Sequence, residues 1–140
     1  MGKSSTIEFK FDHLHIKCRD INSTKDFYKK MFDAKTIFEE KVGNASMAVL
    51  ELGGTVVIIA EPGEGEILEP PKSPRENVWI RHGIGHLGVR VDNLDEAARE
   101  LKAKGAEFIL EPRDFREGIR IAFIRAPDDD VIEIVQRAAK

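Results

Sequence analysis

The sequence predicts an α+β fold made of two βαβββ modules in tandem. The first observation is a repeat, because the pattern His13-Leu-His-Ile-Lys17 recurs 73 residues later as His86-Leu-Gly-Val-Arg90. The second is that each copy precedes one stretch with helical periodicity and three with strand-like alternation. The third is the length of 140 residues. About 70 residues per module is too few for a comfortable core of its own, so the modules must share one.

The first module, residues 7–62, opens with a strand that has one apolar and one polar face. The apolar face carries Leu14, Ile16 and Cys18, and the polar face carries His13, His15 and Lys17. A helix follows, with Ser23 as its predicted N-cap. Its buried face has large side chains at helical spacing: Phe27, Tyr28, Met31 and Phe32.

Three strands complete the first module, at residues 35–41, 46–52 and 55–61. They are separated by Gly43-Asn44 and Gly53-Gly54, which are favourable turn sequences. Cys18 lies on the apolar face of the first strand, so we expect it in the core and not as a nucleophile.

The second module, residues 84–137, repeats this order. Its first strand, residues 86–91, is apolar on one side and presents His86 and Arg90 on the other. The helix begins near Leu94 with Asn93 or Asp95 as its cap, and Gly105 is a natural stop. Three strands follow at residues 106–110, 119–124 and 130–136.

A connector rich in proline and glycine, residues 63–83, joins the modules. Connectors of this length in a compact chain are often functional. Trp79, the only tryptophan, lies here. It either anchors the connector or forms a wall of the substrate pocket. His82 lies here too, outside the repeat, and we expect it to be solvated.

Composition and charge exclude several classes of function. The net charge of −3 leaves no basic face for nucleic acid. The longest apolar run, residues 55–60, is far too short to span a membrane. The N-terminus lacks the apolar core of a signal peptide, so we expect a cytoplasmic protein. A single cysteine excludes an internal disulfide framework and a cysteine-based zinc cluster.

Three residues form a candidate metal site. Glu133 lies in Val131-Ile-Glu-Ile-Val135, where both strand faces are apolar, as in a strand buried front and back. An unpaired carboxylate there would be costly, so it must be protonated, ion-paired or bound to a metal. His13 and His86 occupy equivalent positions on the faces that point away from the helices. Two imidazoles and a carboxylate meeting in a pocket are typical of a divalent transition-metal site.

Four segments resemble the vicinal oxygen chelate superfamily, which includes glyoxalase I, methylmalonyl-CoA epimerase, extradiol dioxygenases, and fosfomycin- and bleomycin-resistance proteins. The segments begin at Phe11 (Phe-Asp-His-Leu-His-Ile), Leu50 (Leu-Glu-Leu-Gly-Gly-Thr), Gly83 (Gly-Ile-Gly-His-Leu-Gly) and Ala126 (Ala-Pro-Asp-Asp-Asp-Val-Ile-Glu). The family pattern has glycine at the position of Asp129. The resemblance implies a cup-shaped mixed sheet with helices on its outer face.

The resemblance also implies that His13, His86 and Glu133 are metal ligands. Members with four protein ligands carry another in the strand after the Gly-Gly turn, a position that aligns with Ile58, which cannot coordinate a metal. Either Glu51, in a shifted register, or water would then take the fourth place. Phe123 stands where fosfomycin-resistance proteins carry a tyrosine, which argues against that activity.

The remaining site predictions concern substrate. His15 lies two residues from His13 on the same face and is a candidate general base or substrate contact. Lys17 and Arg90 project from the ligand-bearing faces and suit a carboxylate or phosphate on a substrate. In glyoxalase-like proteins a basic residue near the position of Lys17 helps to bind the anionic thiol cofactor.

We therefore expect a metal-dependent enzyme for a small substrate with adjacent oxygens, a lyase or isomerase of glyoxalase or epimerase type with Glu133 and His15 as catalytic residues. The ion would be Ni, Co, Mn, Zn or Fe. The first alternative is an Fe(II)-dependent extradiol-type dioxygenase, and the second is a non-catalytic, ligand-sequestering protein of bleomycin-resistance type. Exposed strand edges favour a homodimer, although the modules can pair within one chain or between two.

Overall fold

The computed structural model describes residues 7–67 and 83–138. Within these ranges the chain forms two βαβββ modules, which confirms the predicted fold class. The elements are, in chain order, β1 (His13–Lys17), α1 (Ile21–Phe32), β2 (Lys35–Val42), β3 (Ala45–Leu52), β4 (Thr55–Ala60), β5 (Leu87–Arg90), α2 (Leu94–Ala103), β6 (Glu107–Arg116), β7 (Ile119–Arg125) and β8 (Val131–Arg137). Trp79 and His82 lie outside the described residues, and the predicted module boundaries remain a prediction.

The two sheets have the same mixed topology. Their strand orders are β1-β4-β3-β2 and β5-β8-β7-β6. In each sheet the first strand runs parallel to the last, while the other neighbours are antiparallel. The connection between the two parallel strands includes the helix, which makes the crossover that parallel strands require. β1 and β5 come first in these strand orders, so each lies at an edge of its sheet.

Side chains determine where each helix begins. The N–H groups of Asn22 and Ser23 donate to Oδ1 of Asp20 at 2.9 and 3.2 Å, so Asp20 is the N-cap of α1 and the prediction of Ser23 was wrong. A carboxylate that accepts two otherwise unpaired amides is the stronger cap. Asn93, one of the two predicted caps, accepts from the N–H of Glu96 at 3.0 Å.

The two modules also share a hydrogen bond at the first residue of each helix. The N–H of Ile21 donates to Oε2 of Glu61 at 3.1 Å, and the N–H of Leu94 donates to Oε1 of Gln136 at 2.7 Å. Glu61 directly follows β4, and Gln136 lies near the end of β8. In both modules the last strand therefore helps to fix the start of the helix, because it satisfies an amide that has no partner within the helix.

The apolar sides of both sheets pack with the helices into one core. Its buried members come from both modules and include Cys18 and Tyr28, each 1% exposed, and Leu94 at 0%. The predicted core position of Cys18 is confirmed, and Phe27, Met31 and Phe32 pack partly buried against the same core. The shared core agrees with the argument from module size.

β6 is longer than its sequence pattern predicts. It continues to Arg116, past Pro112, whereas the predicted strand ended at residue 110. Its pairing with β7 shifts register at three points. An edge strand with such irregularities tolerates proline, because the missing N–H is not needed by a second neighbour.

Candidate metal and substrate site

The face of each sheet that points away from the helices is called the cup face. On the second sheet it carries Glu133, whose Oε2 lies 2.8 Å from Nε2 of His86, the residue directly before β5. The Glu133 side chain is 21% exposed and that of His86 is 39% exposed. The structure thus brings together two of the predicted ligands, which lie 47 residues apart in sequence.

Apolar side chains surround this pair. Val131 and Val135 flank Glu133 on the cup face and pack with Ile121 and Phe123 in a second buried cluster. Ile132 and Ile134, on the opposite face of β8, are each 1% exposed. β8 is therefore buried on both faces, as the sequence predicts.

Phe123 orients the imidazole of His86. The two ring centroids are 5.1 Å apart and the planes are nearly perpendicular, at 86°. Phe123 lies opposite Glu133 in the pairing of β7 with β8. Since edge-to-face contact restricts the tilt of a ring, Phe123 helps to hold His86 beside the carboxylate. In the sequence, Phe123 is distinguished only as the position where fosfomycin-resistance proteins carry a tyrosine, and this contact with His86 was not predicted.

His13 is on β1 of the first sheet, and its neighbour Asp12 orients it. Nδ1 of His13 lies 2.6 Å from Oδ2 of Asp12. A carboxylate on one ring nitrogen fixes the tautomer and leaves the other nitrogen available to a ligand. Within the described parts of one chain, no three His, Cys, Asp or Glu side chains form a cluster suited to a metal ion. The set of His13, His86 and Glu133 remains a prediction.

The strand register identifies the counterpart of Glu133 in the first sheet. Gly88 of β5 pairs with Glu133 of β8, and His15, the repeat equivalent of Gly88, pairs with Ile58 of β4. Ile58 thus occupies the position that Glu133 has in the second sheet. This is the same position that the sequence resemblance assigns to a fourth ligand, and it carries no donor atom.

Glu51 is engaged elsewhere. Its Oε1 accepts a hydrogen bond of 2.7 Å from the N–H of Gly54, in the turn between β3 and β4. In the register of β3 with β4, Val49 and not Glu51 lies opposite Ile58. The carboxylate of Glu51 therefore stabilises the turn between β3 and β4.

The two predicted substrate-binding cations have different environments. Nζ of Lys17 forms an ion pair of 2.9 Å with Oε2 of Glu66. Arg90, on the exposed side of β5, has no hydrogen-bond or ion-pair partner in the described ranges. Glu66, which lies in the predicted connector, was not predicted as a site residue. The segment Gly63-Glu-Gly-Glu66, which is typical of a turn, is the local signal for it.

A cavity of about 220 Å³ lies between β1 and the segment that leads into β5. We call it the seam cavity. His15, Lys17 and His86 line it together with the buried Tyr28 from α1 and with Asp130. Burial raises the pKa of Tyr28 well above its ordinary value, with a further contribution from the negative charge of Asp130. Its hydroxyl, which is protonated at neutral pH in any tyrosine, therefore resists deprotonation at alkaline pH as well.

Comparison with known proteins identifies the family. Residues 10–134 match the family model of the Glyoxalase/Bleomycin resistance protein/Dioxygenase superfamily. The chain belongs to this superfamily. The assignment agrees with the resemblance found in the sequence, and with the two mixed sheets.

Individual members of the superfamily are distant in sequence. The chain is 27% identical to lactoylglutathione lyase of Schizosaccharomyces pombe over 93% of its own length, but it covers only 48% of that protein. It is 20% identical to a probable lactoylglutathione lyase of Synechocystis over 91% of this chain and 95% of the relative. The chain spans about half the length of the first curated relatives.

Among solved structures, glyoxalase I of Zea mays superposes with a TM-score of 0.72 at 23% identity. The match covers 91% of this chain and 44% of the maize chain. This likeness shows the shared fold. No helix in the described part of the chain is long and apolar enough to cross a membrane.

Proposed function

We propose that this chain is a metal-dependent lyase or isomerase of glyoxalase type that acts on a small substrate with adjacent oxygens. The observation that carries the proposal is the pair of His86 and Glu133, whose carboxylate lies among apolar side chains of the cup face. Two ligand atoms of one ion, each about 2.1 Å from it, lie about 3.0 Å apart in octahedral and about 3.4 Å apart in tetrahedral coordination. Nε2 of His86 and Oε2 of Glu133 form a hydrogen bond of 2.8 Å, so a separation of a few tenths of an ångström would bring both atoms to ligand spacing. The lactoylglutathione lyases among the relatives support the reaction class.

His86, Glu133 and His13 would hold the ion, which we expect to be Ni, Co, Mn or Zn. A divalent ion in this place supplies a Lewis acid for an oxygen of the substrate. Asp12 orients His13 through Nδ1, and Phe123 orients His86. The apolar neighbours of Glu133 limit the access of water, which strengthens the attraction between its carboxylate and a cation.

A homodimer is part of the proposal. Phe38 and Val42 lie on the cup face of the first sheet and are 51% and 61% exposed. They lie on β2, an edge strand of this sheet, and exposed apolar side chains on an edge strand favour association with another copy. In this arrangement the first sheet of one copy faces the second sheet of the other. His13 then comes from one chain, and His86 and Glu133 from its partner.

The remaining residues would bind the substrate and move its proton. Arg90 attracts a carboxylate or phosphate group and holds it beside the apolar floor formed by Val135, its partner in the β5–β8 register. His15 lies on the same face of β1 as His13, so in the dimer it enters the site together with His13, and we assign proton transfer next to the substrate carbonyl to His15 and to Glu133 of the other copy.

One observation supports a second candidate, an Fe(II)-dependent dioxygenase of extradiol type. Ile58 takes the register position that corresponds to Glu133, so the proposed ligand set is limited to two histidines and one carboxylate. That set, with open coordination positions, is typical of ferrous oxygenases.

Metal analysis tests both candidates. Protein purified without chelator is compared with Glu133→Gln and with Glu117→Gln, a control at an exposed turn. We expect about one ion per chain in the parent and the control, and loss of the ion in Glu133→Gln. A parent without stoichiometric metal, or a Glu133→Gln protein that retains it, would contradict the proposal.

The reaction is assigned by two further assays. Hydrogen–deuterium exchange at a carbon next to a carbonyl, in protein that contains Ni, Co, Mn or Zn, supports the lyase or isomerase. Iron together with oxygen uptake on catechols supports the dioxygenase and contradicts the first candidate.

A further inference from the structure

Lys17 and Arg90 occupy the same position in the two copies of the repeat, but their environments differ. They lie 73 residues apart, each at the end of the first strand of its module, on the face that carries the histidines. Lys17 is paired with Glu66 at 2.9 Å, whereas Arg90 has no such partner among residues 7–67 and 83–138. One of two equivalent cationic positions is thus already occupied by a carboxylate of the chain itself.

A tight turn presents Glu66 to Lys17. The N–H of Glu66 donates to the carbonyl oxygen of Gly63 at 3.0 Å, and Gly65 has a φ of +78°, which favours glycine. A Cβ atom at residue 63 would lie 3.0 Å from Oε1 of Glu66. Glycine at this position therefore leaves the space that the carboxylate uses, and the placement of the carboxylate depends on the loop as well as on attraction to Lys17.

The contact is accessible and exchangeable. The side chains of Lys17 and Glu66 are 42% and 52% exposed. Ion pairs between exposed side chains are weak, because water and salt screen them. Lys17 also lines the seam cavity beside His15 and His86. A small anion from solution can therefore reach Lys17 and replace Glu66 without unfolding any element.

The charges around Glu66 also indicate that this position favours an anionic group. The pKa of Glu66 is lowered, first by the hydrogen bond and charge of Lys17, with smaller contributions from the backbone at Gly63 and from His15. The carboxylate thus lies at a positively charged part of the cup edge, where an anionic group of a ligand would also be favoured.

We propose that Glu66 is an internal competitor for the anion position at Lys17, so that a ligand with a carboxylate or phosphate group must displace it. The inference rests on the proposed function for the presence of an anionic substrate in this cup. The displacement itself requires neither metal nor turnover. Glu66 then selects against weakly charged ligands, and Arg90 provides the open cationic position.

Inorganic phosphate is the probe for the test. The ¹⁵N-labelled full chain is titrated with potassium phosphate at constant ionic strength, and the backbone amide shifts of Lys17 and Arg90 are followed separately. We expect Glu66→Gln to tighten phosphate binding at Lys17 about two- to fivefold, the range that an exposed ion pair contributes. Binding at Arg90 should change much less. Glu64→Gln, which removes a neighbouring exposed carboxylate, is the matched control and should leave both sites unchanged.

Gly63→Ala provides a test that keeps the net charge. Its Cβ would lie 3.0 Å from Oε1 of Glu66, so the carboxylate must shift; we expect this shift to weaken the contact with Lys17 and to tighten phosphate binding there. In a Lys17→Gln background the gain from Glu66→Gln should disappear. Equal affinities for Glu66→Gln and Glu64→Gln, or a gain that persists without Lys17, would overturn the inference. Phosphate binding is measured without turnover. The titration can therefore be interpreted even if the proposed catalytic function is wrong.

Discussion

Replacing Glu133 with leucine tests whether this carboxylate, which we propose as a metal ligand, lowers the stability of the folded protein when no metal is bound. In the absence of metal, the carboxylate lies among apolar side chains, and its described polar contact is with His86 at 2.8 Å. Leucine has a similar size and can occupy the same space between Val131 and Val135. His86 is 39% exposed, so water can solvate its ring after the substitution, and no buried charge is left unpaired.

The expected increase in the free energy of unfolding follows from how far the side chain at position 133 is buried. A fully buried leucine contributes about 1.5–3 kcal/mol, and a side chain that is 21% exposed retains roughly four-fifths of this. The methylene groups of glutamate already supply about half of that burial. The lost contact with His86 is worth about 0.5 kcal/mol, which is offset by removal of the desolvated carboxylate. We expect Glu133→Leu to be more stable by about 1 kcal/mol, or roughly 3 °C in Tm.

Urea unfolding in the presence of a chelator, at one fixed protein concentration, measures this difference. Glu117→Leu, at an exposed turn, is the control and should change stability by less than about 0.5 kcal/mol. When a divalent ion is added at 100 times its Kd, the parent should gain about 2.7 kcal/mol and Glu133→Leu should gain nothing. A Glu133→Leu protein less stable than the parent in chelator would refute the reasoning, because the carboxylate would then be part of the structural framework.

Three further predictions concern other parts of the chain. Asp129 has a φ of +60° and pairs with Arg125 at 3.2 Å. Asp129→Gly, which relieves strain but loses that pair, should stay within about 1 kcal/mol of the parent in urea unfolding, whereas Asp129→Val should be less stable by about 2 kcal/mol. Burial raises the pKa of the Cys18 thiol, so iodoacetamide should modify it only after unfolding; rapid labelling of native protein would contradict its core position. The pKa of Glu66 is lowered in the folded chain, chiefly by Lys17, so the contribution of this contact to stability is present above the unfolded pKa of glutamate and is lost as pH falls through the folded pKa. An NMR titration of the Glu66 carboxyl that gives a midpoint at or above the usual range for glutamate would contradict this.

Local patterns predicted most of the elements, because alternation with a period of two and helical spacing depend only on neighbouring residues. The prediction failed at two places for different reasons. β6 continues past Pro112 because it is an edge strand with β7 as its neighbour on one side only. The N-cap of α1 is Asp20 and not Ser23 because Oδ1 of Asp20 accepts the N–H groups of Asn22 and Ser23, a choice between neighbouring capping residues that helical spacing alone does not rank.

The sequence by itself determined the two modules, their shared core, and the placement of Glu133 in a strand buried on both faces. Each of these follows from the repeat and from the distribution of apolar residues along short segments. The tertiary structure decided which polar side chains meet. His86 reaches Glu133 across 47 residues, and Lys17 reaches Glu66 across 49, whereas His13 pairs with its neighbour Asp12. Such contacts depend on strand register and on the path of loops, which bring distant segments to one edge of a sheet and which no local periodicity encodes.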